Sequence, residues 1–227
     1  MLPTFSVKWL MPRIVDFSEK HPDIEIHLVN SIRPVDFDRE DVDLAIRVGS
    51  PVMDTRAQGQ VRIDLEMAKR DDQLKFLQLM PDRMVAVASP GYIAERGLVK
   101  TAADANAATL INMATRQHAW ADFLQALGWA VERKNDGPAY GHFFMAIQAA
   151  MEGRGIALVP DVLGMDDIRS GLLVQAVPAR VPSAGQYYLI GRKTGWEQKR
   201  VRIFRAWLES YLPAVHAEAN AAGSLMS

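Results

Sequence analysis

At 227 residues, 49% hydrophobic and 23% charged, the chain has ordinary globular composition and enough length for one large domain or two small ones. With 26 Lys and Arg against 27 Asp and Glu, its net charge of −1 excludes the basic footprint that sequence-independent phosphate binding needs, so the chain is not expected to grip nucleic acid by itself. The absence of cysteine excludes disulfides and thiolate metal sites, Pro12 and Arg13 interrupt the opening too early for a signal peptide, and no run reaches the roughly 20 apolar residues of a membrane span; the expectation is a cytoplasmic protein.

Residues 2–5 read as a short strand remnant. From 6 to 20, Val7, Leu10, Ile14 and Phe17 recur every three or four positions and predict a helix, with Thr4 or Ser6 as its N-cap. Pro12 withholds a backbone donor there, so a kink or a late start is expected. Ile24, Ile26 and Leu28 alternate with Glu25 and His27, the period of a half-buried strand that Asn30 and Ser31 end. Pro34 then opens one helical turn through Asp36, Phe37 and Arg39, and the continuous run Leu44, Ala45, Ile46 within 42–48 predicts a strand buried on both faces of a parallel sheet, released at Gly49. Strand, turn and strand form a βαβ unit, which places ligands at the carboxyl ends of its strands.

A loop is expected over 50–60. Val61, Ile63, Leu65 and Met67 alternate with polar residues and predict a strand, and 74–80 reads either as its partner or as a helix. Residues 84–88 are a strand, followed by Ser89 as N-cap, Pro90 at the first helical position and a short helix to Arg96 closed by Gly97. Thr101 to Asp104 resembles a capping box. Next come a brief strand at 110–113, a helix at 120–127 stopped by Gly128, a strand at 129–134, and a helix at 140–152 carried by Phe144, Ile147, Gln148 and Met151. A buried strand at 156–159 leads to Asp161 capping a helix over 162–170, then to a strand at 172–177, a loop at 181–185, and a strand at 187–190. Trp196, Ile203, Phe204, Trp207 and Tyr211 line a final helix; the Ala-rich tail after Pro213 is expected to fray.

No reactive constellation emerges. The five histidines never fall in metal-ligand spacing, and Gly153-Arg154-Gly155 follows a helix and precedes a strand, the reverse of a phosphate turn. There is no nucleophile elbow and no P-loop, and the acidic pairs Asp71-Asp72 and Asp166-Asp167 suit polar turns. Glu197 and Glu209 interrupt the basic residues of the last helix, which read as a solvated face. The chain is therefore expected to use no cofactor or metal and not to be an enzyme.

Four segments in order, HPDIEIHLVNSIRPVDFDREDVDLAIRVG, PDRMVAVASPGYIAERG, AIQAAMEGRGIALVPD and YYLIGR ahead of FRAWLESYL, resemble the effector-binding domain of LysR-type transcriptional regulators over nearly the whole chain. The DxxxEDVDLAIRxG and VAVxSPxY patterns are distinctive in combination. The resemblance implies an α/β fold of two subdomains with periplasmic-binding-protein type II topology, joined by two crossover strands at 84–88 and 187–190. Residues 1–84 with 187–227 would form one subdomain and 85–186 the other. It also implies a winged helix-turn-helix ahead of this domain, which this sequence does not contain, so DNA would be reached only through that missing domain; only residues 2–4 stand for the family's first strand, and the 51–80 connection is longer than usual.

By the same resemblance a small effector lies between the subdomains. Residue by residue this points to Thr4, Phe5 and Ser6, to Ser31, to Gly141, His142 and Phe143, and to Tyr187. Helix N-termini favour anionic or amide ligands there. Each residue also has a plain structural role open to it: Thr4 and Ser6 as caps, Ser31 as a strand end, His142 on the surface, Tyr187 in hinge packing. Arg47 could meet a ligand carboxylate, but pairing with a nearby aspartate is the expectation. A side-by-side antiparallel homodimer is implied, with no membrane partner. A transporter's solute-binding protein of the same topology and a small α/β enzyme are the rival readings.

Overall fold

The computed structural model describes residues 1–50, 59–63, 65–68, 72–130 and 137–212. Helical structure begins at once, with α1 (Pro3–Phe5) running through a π-turn (Ser6–Leu10) into α2 (Met11–Lys20). The expected strand remnant at 2–5 is therefore helical, and the N-cap position is Leu2, which has no capping side chain. Pro12 explains the π-turn. Its ring crowds the carbonyl four residues back, and widening the preceding turn, where Met11 N–H donates to Ser6 O, relieves that crowding without a sharp kink.

The remaining elements are β1 (Leu44–Gly49), β2 (Leu74–Ala88), α3 (Pro90–Arg96), α4 (Ala102–Ala107), β3 (Leu110–Met113), α5 (Ala119–Ala126), β4 (Ala139–Tyr140), α6 (Phe143–Met151), β5 (Ile156–Pro160), α7 (Asp161–Arg169), β6 (Val174–Arg192) and α8 (Lys199–Ser210). The strands make one sheet in the order β1-β6-β2-β5-β3-β4. Pairing is antiparallel from β1 to β5 and parallel across β5, β3 and β4. Local punctuation follows the sequence closely in the middle of the chain. Ser89 Oγ accepts the Tyr92 N–H, Thr101 and Asp104 complete a reciprocal capping box, and Gly97, Gly128, Gly153 and Gly171 all adopt positive φ at helix ends.

Two long strands organise everything else. β2 and β6 run antiparallel, and each changes partners midway: one end of β6 faces 74–80 of β2 and also pairs β1, while its other end faces 83–88, which also pairs β5. The change falls at register shifts between Gln78 and Arg83, where Pro81 and Pro182, neither with a backbone donor, stand in the two strands. The expected loop at 181–185 is thus continuous strand. Alternate residues of the central strands feed opposite faces. Val85, Val87, Ala157 and Val159 join a core with α1, α2, α6 and α8, whereas Met84, Ala86, Ala88, Ile156 and Leu158 join a second core with Trp120, Phe123 and Leu124 of α5. Burial on both sides explains the unbroken apolar run of 84–88.

The N-terminal third departs most from expectation. Residues 24–28 are not paired with any described strand, although Ile24, Ile26 and Leu28 are half-buried and Glu25 and His27 exposed, as their alternation demands. Just beyond them Met1 lies alongside, its amino group donating to Val29 O at 2.6 Å while Ser31 N–H donates to Met1 O at 2.9 Å. In place of the expected helical turn, Val35 makes a single bridge and 37–39 form a turn closed by Arg39 and Glu40 N–H donating to Asp36 O. β1 is buried as predicted but pairs antiparallel with β6, so no βαβ unit opens the chain. The predicted strand at 61–67 reduces, among the described residues, to single bridges Val61 with Ser183 and Val35 with Ala68. Asp161 is the first residue of α7 and not its N-cap, which is Pro160. The predicted strand at 129–134 and the tail after 212 fall mainly or wholly outside the described residues.

Candidate functional site

One hollow gathers segments from both ends of the chain. It measures about 30 Å³, room for a water molecule or two or for one small functional group, and is walled by residues 2–5, Ile32, Val48, Leu65, Thr115, Arg116, residues 141–143, Leu163 and Tyr187. Of the residues singled out in the sequence, Thr4, Phe5, Gly141, His142, Phe143 and Tyr187 face it. Ser6 and Ser31 do not line it. Ser6 is buried in the π-turn, and Ser31 spends its Oγ on the Arg33 N–H and its carbonyl on Arg47, leaving Ile32 beside it as the lining residue.

The first wall is aromatic. Trp9, Phe5 and Tyr187 form a file with centroids 5.0 and 5.1 Å apart, each about 1% exposed, so Tyr187 is braced by packing before anything touches its hydroxyl. Burial pushes the Tyr187 hydroxyl well above its ordinary pKa, and the nearby Asp82 charge adds to that push. It is a neutral donor and acceptor across the physiological range.

The second wall is the start of α6. His142 occupies its N-cap position with no capping side chain, its ring stacked on Phe144 at 5.5 Å. The cap comes from the other end of the chain, where Thr4 Oγ1 accepts the Phe144 N–H at 3.2 Å. Lys8 reinforces this junction by pairing with Asp167 of α7 at 2.6 Å.

Arg47 supports the 31–33 segment from beneath. It is 3% exposed, and its Nη1 and Nη2 donate to Ser31 O at 2.5 Å and Arg33 O at 2.6 Å. Among the described residues no aspartate takes it, contrary to expectation. Desolvation lowers the guanidinium's pKa, opposed by the charge of Glu40.

Sequence reading missed Thr115 and Arg116, on the connection between β3 and α5. Among the described lining residues Arg116 is the one Lys, Arg, Asp or Glu. Its Nη2 donates to Asp82 Oδ2 at 2.8 Å, and its guanidinium carbon lies 5.6 Å from the Phe143 ring centroid. Ser183 Oγ donates to the same Asp82 oxygen at 2.5 Å, so Arg116 is tied to both long strands where they change partners. Nothing local marks this arginine; only the fold brings Asp82 to it. Asp161 opens α7 close by, 3.3 Å from Arg83 and 3.5 Å from Arg180. Burial raises its pKa, the two arginines opposing.

Among the described residues no three His, Cys, Asp or Glu side chains gather to hold a metal, and no helix is long and apolar enough to cross a membrane.

Solved structures share the fold. The effector domain of the transcriptional regulator AmpR of Pseudomonas aeruginosa superposes with a TM-score of 0.74 at 24% identity, covering 97% of this chain and 96% of that one. The AmpR effector binding domain of Citrobacter freundii gives 0.72 at 22% identity, over 94% and 96%. In sequence, the glycine cleavage system transcriptional activator of Escherichia coli K12 is 27% identical over 208 residues, 92% of this chain and 62% of that protein. The chain thus spans less than two thirds of that relative's length. With the LysR substrate binding domain model matching residues 1–213, the chain belongs to that family.

Proposed function

We propose that this chain is the effector-sensing part of a LysR-type transcriptional regulator, which binds a small molecule in the hollow and reports occupancy as a change in the packing of two subdomains. In this reading residues 1–84 with 187–227 form one subdomain and 85–186 the other, and DNA is contacted through a part of the regulator outside this chain. The observation that carries it is the convergence of the first helix, the 115–116 connection, the start of α6 and Tyr187 on one hollow without reactive groups. The relatives being transcriptional regulators favours this over a transporter's solute-binding protein.

A ligand can move such an equilibrium only through its differential affinity for the two arrangements, typically about 1–3 kcal/mol of coupling. A homodimer completes the reading. Val7, Met11 and Val15, spaced by four along the first helix, are 52, 48 and 59% exposed, an apolar stripe suited to a second copy.

The test is a metabolite screen by calorimetry and thermal shift. A hit should bind saturably, be recovered unchanged, and weaken about fivefold or more in Thr4→Val and Tyr187→Phe, each losing one hydrogen-bonding group. Turnover of the hit, or binding indifferent to both substitutions, would refute the proposal.

A further inference from the structure

A cation in the cavity wall is under-used, and that bears on the charge of the occupant. Arg116 is 2% exposed. Of its donors, one meets Asp82 Oδ2, Nη1 is spent on Met84 Sδ at 3.2 Å, and Nε has no partner among the described residues. A buried guanidinium ordinarily takes a carboxylate through two parallel N–H···O bonds, and a thioether is a weak acceptor. Asp82 cannot supply the second bond as it stands. Its Oδ2 is already shared between Arg116 and Ser183, and Oδ1, equally buried, has no partner.

Asp82, Arg116 and Asp161 all act electrostatically on Tyr187, and Arg83 and Arg180 face Asp161, so the polar groups of this wall share one charged neighbourhood. The rest of the wall is largely aliphatic and aromatic, with Thr4, Thr115, His142 and Tyr187 as further polar side chains and the N-terminus of α6 contributing a partial positive charge.

Resting on the sensing role proposed above, we propose that the effector carries a carboxylate, that this group is the part that fills the hollow, and that Arg116 is the residue that selects it. The carboxylate seats on the free edge of the guanidinium, which Phe143 and Asp82 hold in place. A neutral amide of the same shape leaves that edge unsatisfied.

The test uses the 227-residue chain and a broad metabolite library containing small carboxylates such as propionate and benzoate, each beside its neutral amide. Arg116→Met alone would strand a buried Asp82 carboxylate, so the key variant is the uncharged pair Arg116→Met with Asp82→Asn, checked for cooperative unfolding. Wild type should bind carboxylates roughly tenfold or more tightly than their amides, and the double variant should lose that preference. If the double variant does not fold, Arg116→Lys serves, keeping the charge but not the planar fork. It should weaken carboxylate binding several-fold while retaining preference over the amide. Thr4→Val, elsewhere in the lining, reports cleft occupancy without changing any charge. Ligands that are Thr4→Val-sensitive but neutral, or carboxylates bound equally by the altered and unaltered proteins, overturn the carboxylate assignment and leave the sensing role standing. A library without any Thr4→Val-sensitive binder overturns both.

Discussion

Replacing Arg47 by methionine tests whether a buried cation shapes the cavity through main-chain carbonyls. The guanidinium is 3% exposed and makes two short bonds, to Ser31 O and Arg33 O, with no carboxylate in its hydrogen-bond set. Each charge-assisted bond contributes about 1.5–3 kcal/mol, but methionine also relieves the cost of burying the charge, and water can reach the half-exposed 31–33 segment to satisfy the freed carbonyls. The balance is a loss of about 2 kcal/mol, or roughly 4–8 °C in melting temperature for a domain of this size. Arg47→Lys, a point charge that cannot fork between two carbonyls, should recover about half. Urea denaturation followed by tryptophan fluorescence measures the loss, and calorimetry with a validated ligand measures the second effect, a weakening of binding as Ile32 leaves its place in the wall. If Arg47→Met melts at the wild-type temperature and binds equally well, the idea that this arginine sets the loop is wrong.

Lys8→Met should cost about 2 kcal/mol by leaving Asp167, 8% exposed in its side chain, without its cation; small-angle scattering should also show a looser particle, whereas an unchanged melt and profile would mean the pair contributes nothing. At Gly185 an added methyl would lie 2.6 Å from Gly49 O and 2.7 Å from Ile63 Cδ1, so Gly185→Ala should destabilise by roughly 1–3 kcal/mol in a denaturant titration, since a backbone oxygen cannot step aside cheaply. Asp16 predicts an acid effect. Lys20, Trp207 and Tyr211 all donate to its carboxylate, holding its pKa below the ordinary 3.8. Because the folded value lies below the unfolded one, this stabilisation is present above about pH 3.8 and is lost as pH falls through the lower folded value. Tryptophan emission from the α2–α8 junction should report that loss, and Asp16→Asn should abolish the transition; a transition that persists in the variant belongs to another group.

What could be read from the sequence depended on how far apart the deciding contacts lie. Ser89, Thr101 with Asp104, and Gly97 are decided within four residues, and their caps and stops follow from side-chain chemistry alone. The buried run 84–88 was legible because burial on both faces leaves no polar alternation. Partner choice was not legible. The alternation at 24–28 correctly marks a half-buried extended segment, but a strand also needs a neighbour, and among the described residues none pairs with it. Thr4 looked like a local cap because its hydroxyl can serve a nearby N–H; that hydroxyl instead serves Phe144, 140 residues away. Arg116 shows the same limit, since its partner Asp82 is 34 residues upstream and neither position carries a periodic signal.

The cavity is built from mutual deficits, which is what couples it to the rest of the molecule. α6 lacks a cap of its own and borrows Thr4; Asp167 of α7 borrows Lys8; Arg116 borrows Asp82 from β2 and, through that carboxylate, Ser183 from β6. In each case separating two elements exposes or strands a polar group, so the arrangement is held by a few bonds worth about 1 kcal/mol each, more where a charge is involved. A ligand that takes over even one of them changes the cost of separation by an amount comparable to the 1–3 kcal/mol that allosteric coupling typically requires. Apolar contacts alone would give a graded response to any occupant of suitable size. Under the proposed sensing role, shared hydrogen bonds would make the response depend on which polar groups the occupant carries, and Asp82, at the point where β2 and β6 change partners, would pass that dependence to the two long strands.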